Sequence, residues 1–291
     1  MAEIKEINPH LEVGISKIVT RGDRDRHTQL DRTASVGVFV KELEEALLDG
    51  RIDLAVHSLK DMPAELPDGL CLAARPPRED PRDALILREG RSLDDLPVAP
   101  TLGTSSLRRA SQLLARWPEA TIVPIRGNVQ TRLAKLQNHD PPLDAIVLAM
   151  AGLVRLDLAA GLSGLVPLTV DDCLPAVGQG VLAVQCRDGD AEVLELLARL
   201  DDEDARACSD AERAFLAGVE GSCQVPVAAY ATRRDGQVHI RARIASLDGR
   251  EVVERERVAT LESVTAEGRA LADEMLAAGG RAILDTCVAL A

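Results

Sequence analysis

A change of texture near residue 200 constrains the fold of this chain most. Before it, short apolar runs alternate with helix-spaced ones; after it come three alternating runs and further helices. Residues 11–19, Leu-Glu-Val-Gly-Ile-Ser-Lys-Ile-Val, alternate apolar and polar, which predicts a strand. Phe39, Val40, Leu43, Ala46 and Leu47 fall at helix spacing over 38–49, and Gly50 stands at the C′ position that ends such a helix. Ile52 to Val56 reads as a short buried strand. Strand, helix, strand in that order predicts an α/β layer with parallel strands.

The order recurs in the middle of the chain. Pro100 to Gly103 leads into a helix at about 106–116, Thr121 to Ile125 into one near 129–137, and Asp144 to Met150 is another buried strand. Arg-Pro-Pro-Arg-Glu-Asp-Pro (75–81) reads as a crossing between two such units, and Pro-Ala-Val-Gly-Gln-Gly (175–180) as the return. Two acidic helices follow over about 190–217. Strands are then expected at Val225–Thr232, Val238–Ser246 and Glu251–Val258, joined at Asp235-Gly236 and Asp248-Gly249, which are strong hairpin signals. A helix near 262–278, then Gly279-Gly280 and a last short helix complete a small α+β unit with an antiparallel sheet. The boundaries expected are 1–76 with 181–200, 77–180, and 201–291.

Charge excludes one class of function. The 34 Lys and Arg face 47 Asp and Glu, a formal net of −13, whereas nucleic-acid binding needs a basic footprint. Aromatic residues are 1% of the chain, too few for the stacking platforms of single-strand binders. No run approaches a membrane span, and Met-Ala-Glu-Ile-Lys-Glu lacks the pattern of a signal peptide, so a cytoplasmic protein is expected; a monomer is expected too, though no residue pattern argues for it. The cysteines at 71, 173, 186, 208, 223 and 287 are widely spread without a Cys-x-x-Cys pair, so neither a structural metal site nor a disulfide framework is expected.

The polar chemistry gathers in loops that follow predicted strands. These are His57-Ser58-Leu59-Lys60-Asp61-Met62-Pro63, Gly103-Thr104-Ser105-Ser106-Leu107-Arg108-Arg109, Arg126-Gly127-Asn128-Val129-Gln130-Thr131-Arg132, and Ala151-Gly152-Leu153-Val154-Arg155. Ligands of open α/β sheets sit at such carboxyl ends. Arg108 and Arg109 oppose the helix dipole in a first turn, a penalty that a bound anion reverses. Guanidinium groups take carboxylates bidentately, so this set suits a polycarboxylate; the alternative is pairing with the chain's many acids. Asp61 is the one carboxylate of its motif. Ionised among cations, it can stabilise a cationic intermediate or manage a proton on a leaving amine, or it can be a turn residue. Lys60 reads as a ligand contact or an ion-pair partner, and His57 as a packing and hydrogen-bonding residue. Cys223, in Glu-Gly-Ser-Cys-Gln-Val-Pro (220–226), stands in a small-residue loop between a helical and a strand-like run, where a thiol can carry a group into a cleft; the alternative is an inert buried thiol.

Together these motifs resemble the porphobilinogen deaminase (hydroxymethylbilane synthase) family, in order and over nearly the whole chain. The resemblance rests on Thr-Arg-Gly-Asp (20–23), Gly-Val-Phe-Val-Lys-Glu-Leu-Glu (37–44), Asp-Leu-Ala-Val-His-Ser-Leu-Lys-Asp-Met-Pro (53–63), Gly-Thr-Ser-Ser-Leu-Arg-Arg (103–109), Arg-Gly-Asn-Val-Gln-Thr-Arg-Leu (126–133), Pro-Ala-Val-Gly-Gln-Gly (175–180) and Gly-Ser-Cys-Gln-Val-Pro (221–226). It implies two α/β domains of the periplasmic-binding-protein kind and a third, α+β domain bearing the cofactor cysteine. It implies a transferase that joins four porphobilinogens head to tail with loss of ammonia, followed by hydrolytic release of hydroxymethylbilane. The implied cofactor is a dipyrromethane in thioether linkage to Cys223. Asp61 would handle deamination and stabilise the azafulvene-like cation. Lys60, Ser106, Arg108, Arg109, Arg126, Arg132 and Arg155 would bind acetate and propionate groups, and Gln179 would line the cleft. No metal is implied.

Two departures from the family pattern stand out. An opening segment of the type Arg-x-Ala-Thr-Arg-x-Ser-x-Leu-Ala-x-x-Gln does not occur, so the first domain is expected to lack a central strand and expose neighbouring edges. Thr33-Ala34-Ser35-Val36-Gly37 stands where the family has a Gly-rich loop with a lysine, one cation fewer, with Arg32 as partial compensation. The alternative readings are an impaired family member and a two-lobed small-anion binding module, and neither needs a modified Cys223.

Overall fold

The computed structural model describes residues 2–18, 40–63, 65–88, 91–219 and 225–289. From the N-terminus these form α1 (Ala2–Ile7), α2 (Lys41–Leu48), β1 (Leu54–Ser58), β2 (Leu70–Ala74), β3 (Asp83–Leu87), β4 (Thr101–Gly103), α3 (Leu107–Arg116), β5 (Thr121–Val123), α4 (Val129–Asn138), β6 (Ala145–Ala149) and α5 (Met150–Arg155). Then follow β7 (Leu165–Pro167), β8 (Leu182–Arg187), α6 (Ala191–Ala198), α7 (Glu203–Gly218), β9 (Val227–Arg234), β10 (Gln237–Ala245), β11 (Val252–Ala259), α8 (Val264–Met275) and α9 (Arg281–Ala289).

Three sheets organise these elements. The first has the order β1-β8-β2, the second β5-β4-β6-β3-β7, and the third β11-β10-β9. The second sheet is mixed: β4 runs parallel to β5 and β6, while β3 runs antiparallel to β6 and β7. Its apolar residues point alternately to two clusters, one around Ile146 and Leu153 and the other around Leu85, Leu102 and Val147. The third sheet buries Val238, Ile240, Ala242 and Ile244 of β10 against α7, α8 and α9 through Phe215, Leu271, Met275 and Ile283. Among the described residues no helix is long and apolar enough to cross a membrane.

Local signals place most element ends correctly. Asp49 caps α2, Gly50 follows at φ 68, and two bonds close the turn: Gly50 N to Leu47 O at 3.1 Å and Arg51 N to Ala46 O at 2.9 Å. Nothing lies within 4 Å of where a Gly50 Cβ would sit, so only backbone strain opposes a side chain there. Gly50→Ala is therefore expected to lower stability by about 1 kcal/mol in a denaturant titration, with activity unchanged. Asp235 and Gly236 both take positive φ, 50° and 78°, as a two-residue hairpin of twisted strands requires. At the second hairpin only Gly249 does, and that connection is longer.

Two expectations fail. Residues 11–18 form no strand and are mostly exposed, Ile15 by 81%. Their alternation offers a face to bury, but among the described residues no sheet edge covers it, and pairing rather than pattern makes a strand. The first sheet is also not built of parallel neighbours, because β8, arriving from the return crossing, inserts antiparallel between β1 and β2. Sequential order does not reveal a strand that returns more than 100 residues later.

The two crossings lie side by side, with Glu79 N donating to Gly180 O at 3.1 Å and Arg78 Nε to Gln179 O at 2.8 Å. Gly180, at φ 89, must be glycine, since a Cβ would strike Glu79 O. Glu212 of α7, fully buried, ties both to the third sheet. It pairs with Arg78 at 2.6 Å and accepts Gly178 N at 2.7 Å and Ala231 N at 2.8 Å. Burial would lower the Arg78 guanidinium, but Glu212 outweighs it and holds the charge.

Candidate functional site

β1 delivers the chain into a single 3-10 turn, Leu59–Asp61. Leu59 is the anchor: it is buried, its N–H donates to Val181 O at 3.0 Å, and it packs under Gly178, where a Cβ would come within 2.8 Å of its Cγ. With Leu59 held down, Asp61 is left exposed and Lys60 half-buried beside it. His57, within β1, is buried and bonded through Nε2 to Gln185 Oε1 at 2.9 Å, a packing role as expected.

β4 delivers the second loop. Thr104 N bonds Val123 O at 3.0 Å, Thr104 Oγ1 accepts Ser106 N at 3.1 Å, and Ser105 Oγ donates to Ile125 O at 2.7 Å. Ser106 is thereby set as N-cap of α3, its Oγ accepting Arg109 N at 3.4 Å. Asn128 caps α4 in the same way, accepting Thr131 N at 2.8 Å, and Arg132 Nε bonds Gly127 O at 2.7 Å.

The arginines of α3 are not free. Arg108 and Arg109 are both buried, and both pair with Asp83, at 2.8 and 2.7 Å. Arg108 also donates to Leu174 O at 2.6 Å and Arg109 to Val147 O at 3.1 Å. The anion expected at this helix N-terminus is in part supplied from within the fold. Burial would raise the Asp83 carboxyl, but the two guanidinium groups override it and hold it far below the usual carboxylate range.

One carboxylate cannot balance this gathering of cations. Burial pushes the Lys60 ammonium down, and the Arg109 guanidinium adds to that, while Asp61 and Asp83 work against it. Arg132 is lowered first by burial and next by Arg109, with Asp61 opposing. Lys60 and Asp61, in the turn after β1, therefore share one electrostatic environment with Arg109 and Arg132, from the first turns of α3 and α4. The site has a surplus of positive charge on partly buried side chains, which suits anionic groups.

Asp83 is the functional residue that sequence reasoning missed. A charged residue heading the apolar run Ala84–Leu87 is the signal that could have found it: an acid buried at a strand start requires a cation, and two arginines stand in a nearby motif.

The remaining site candidates divide. Arg126 is exposed on its loop, its carbonyl accepting Lys135 Nζ at 3.0 Å. Arg155 donates to Gly180 O at 2.8 Å and lies near Glu79 of the crossings and Glu3 of α1. Gln179 does not line the cleft as expected. It is 1% exposed and donates to Pro81 O at 2.7 Å and Asp83 Oδ1 at 3.0 Å, because the crossing turns it inward onto the arginine cluster. Cys223 lies outside the described residues, as do the motif 20–23 and the loop 33–37. The flanks of its segment are as expected, with α7 ending at Gly218 and β9 beginning at Val227. Among the described thiols, burial pushes Cys173, Cys186 and Cys208 up to about 12, which disfavours the nucleophilic thiolate at each.

Comparison with known proteins gives consistent results. Residues 1–195 match the family model described as porphobilinogen deaminase, dipyromethane cofactor binding domain, and residues 206–277 match porphobilinogen deaminase, C-terminal domain. The porphobilinogen deaminase of Syntrophotalea carbinolica is 47% identical over 282 residues, 97% of this chain and 88% of that protein. That of Roseiflexus sp. is 50% identical over 281 residues, 97% of this chain and 91% of the relative. Among solved structures, the periplasmic VFT2 domain of Bordetella pertussis BvgS is 18% identical, covering 55% of this chain and 66% of that one, with a TM-score of 0.31.

Proposed function

The chain belongs to the porphobilinogen deaminase family, and from that membership we propose that it is a transferase joining four porphobilinogens head to tail. Each joining releases one ammonia, and one water frees the linear hydroxymethylbilane. The dipyrromethane cofactor, held in thioether linkage on Cys223, would supply the pyrrole carbon that the first unit joins, and each later unit would join the free end of the chain so begun. The observation that carries the residue assignment is the nearness of an exposed Asp61 to Lys60 and Arg132, cations that follow strands of two different sheets. Three sheets with separate cores support the division into 1–76 with 181–200, 77–180 and 201–291.

In this reading the chain's own residues do three things. Lys60, Arg132 and Arg126 receive acetate and propionate groups at the accessible side of the cluster, and Arg155 does so at the crossings. Ser106, Arg108 and Arg109 form a pre-set floor, the serine held as N-cap and the two arginines oriented by Asp83 before any ligand arrives, so little ordering cost remains. Gln179 acts beneath that floor, holding the crossing to Asp83. Asp61 faces the carbon that becomes cationic as ammonia leaves; its carboxylate stabilises that charge and holds the proton passed to or from the departing amine. Tethering one reactant to the protein makes each joining a step within one complex, which can contribute several kcal/mol to the rate.

The test is the mass of the purified protein. We expect an addition of two pyrrole units, mapped by peptide digestion to Cys223 and giving the aldehyde colour reaction of pyrroles. An unmodified thiol after expression with ample porphobilinogen would favour a small-anion binding module, which has no use for a modified cysteine.

A further inference from the structure

We infer that Arg243 is a positioning residue for the reaction: it fixes the register between the third sheet and the helix whose first turn carries Ser106, Arg108 and Arg109. Arg243 lies on the face of β10 turned away from the core residues Val238, Ile240, Ala242 and Ile244. Its Nη1 donates to Gln112 Oε1 of α3 at 2.6 Å. That oxygen also accepts Leu174 N at 2.7 Å, while Gln112 Nε2 donates to Arg108 O at 3.2 Å and Leu174 O at 3.1 Å. Leu174 O is in turn the acceptor of Arg108 Nη1. Through one amide, a side chain of the third sheet thus reaches the backbone of Arg108 and the group that orients its guanidinium.

Arg243 is itself held in place. Its Nε pairs with Glu254, the residue opposite it on β11, and its Nη2 donates to Asp171 O at 3.3 Å. Glu254 also takes Arg241 at 2.5 Å, and Arg241 pairs with the Asp171 carboxylate. Close approach on the same helix is permitted by Gly249, at φ 71. A Cβ there would strike Ser111 O and come within 2.7 Å of Ala115 N. An apolar side chain could fill this interface with comparable stability, since burying a guanidinium is costly. What the hydrogen-bonded arginine adds is one defined register.

The inference rests on the proposed function, in which Cys223, between α7 and β9, bears the primer whose carboxylates the α3 arginines receive. If the third sheet shifts against α3, the primer and its cations no longer meet at the spacing the reaction needs. Misplacement on the order of 1 Å costs up to about 100-fold in rate.

The experiment compares the holoenzyme with Arg243→Met, Gln112→Ala and the double variant. Arg243→Met should keep the mass of the modified protein and a KM for porphobilinogen within about twofold, while kcat falls about tenfold. Hydrogen exchange should quicken over 107–116 and 171–174 but not over 54–61. Because Arg243 acts through Gln112, the double variant should be no slower than the slower single variant. Should Arg243→Met not fold, Arg243→Gln, polar but too short to reach Gln112 Oε1, takes its place with the same expectations. Unchanged kcat, additive losses, or a loss accounted for by the unfolded fraction overturns the inference. A parent protein without pyrrole on Cys223 overturns both this and the proposed function. A modified, active parent matched by Arg243→Met overturns this inference alone.

Discussion

Asp61→Ala is expected to fold as the parent does and to turn over about 10²–10⁴-fold more slowly, the range typical of losing a positioned acid or base. The fold should not notice, because the Asp61 turn is held by Leu59, whose burial, bond to Val181 O and packing under Gly178 all survive the substitution. Asp61 itself is exposed, so little packing is lost. The electrostatics change sharply. Asp61 is the carboxylate that supports the charged forms of both Lys60 and Arg132. Without it the cluster keeps its affinity for anionic side groups and loses its means of stabilising a cation. The loss should therefore appear in kcat, with KM for porphobilinogen changed by no more than a few-fold. Steady-state kinetics beside thermal melts check both halves. Turnover within threefold of the parent at equal melting temperature would refute the role, and Asp61→Asn separates charge from shape.

Asp83→Ala should be the most damaging change to stability, at about 3–5 kcal/mol, because it leaves two buried guanidinium groups without a counter-charge. Asp83 is fully buried and receives Arg108, Arg109, Gln179 and the Cys173 thiol together. Asp83→Asn keeps the shape and isolates the charge. The pH dependence has a definite sign. The folded carboxyl is held below its unfolded value, so its contribution is fully present above the unfolded pKa of about 4 and is lost as pH falls through the folded value. The stability gap between parent and Asp83→Asn should stay constant from pH 8 to 5 and narrow in more acid solution. Denaturant titrations across that range measure it, and a gap that widened on acidification would contradict the assignment.

Particular residues show why part of the fold and site is legible in the amino-acid order and part is not. Gly50, the Asp235-Gly236 pair and the caps Ser106 and Asn128 act within a few residues of themselves, so their effect is written locally. The first sheet defies a local reading because β8 reaches β1 and β2 from more than 100 residues away. Residues 11–18 show the converse, a strand-like pattern that finds no partner strand among the described residues. In the site, spacing identifies the cations but not their allegiance. Arg108 and Arg109 are expected from their motif to wait for a ligand, yet Asp83 holds both, while Lys60 and Arg132 carry the unbalanced charge. Gln179, expected at the cleft wall, is its buried support.

The order of residue types along the chain was enough to determine three sheet-forming units, the loops that carry the chemistry and the family to which they belong. Each of those depends on periodicity, turn chemistry or motif spacing, all readable over short stretches. Which arginine is spent on structure and which is left for a ligand was decided only in three dimensions. The energy of a buried charge depends on its nearest counter-charge and on how much water it has lost, and both are set by segments that meet only when the chain has folded.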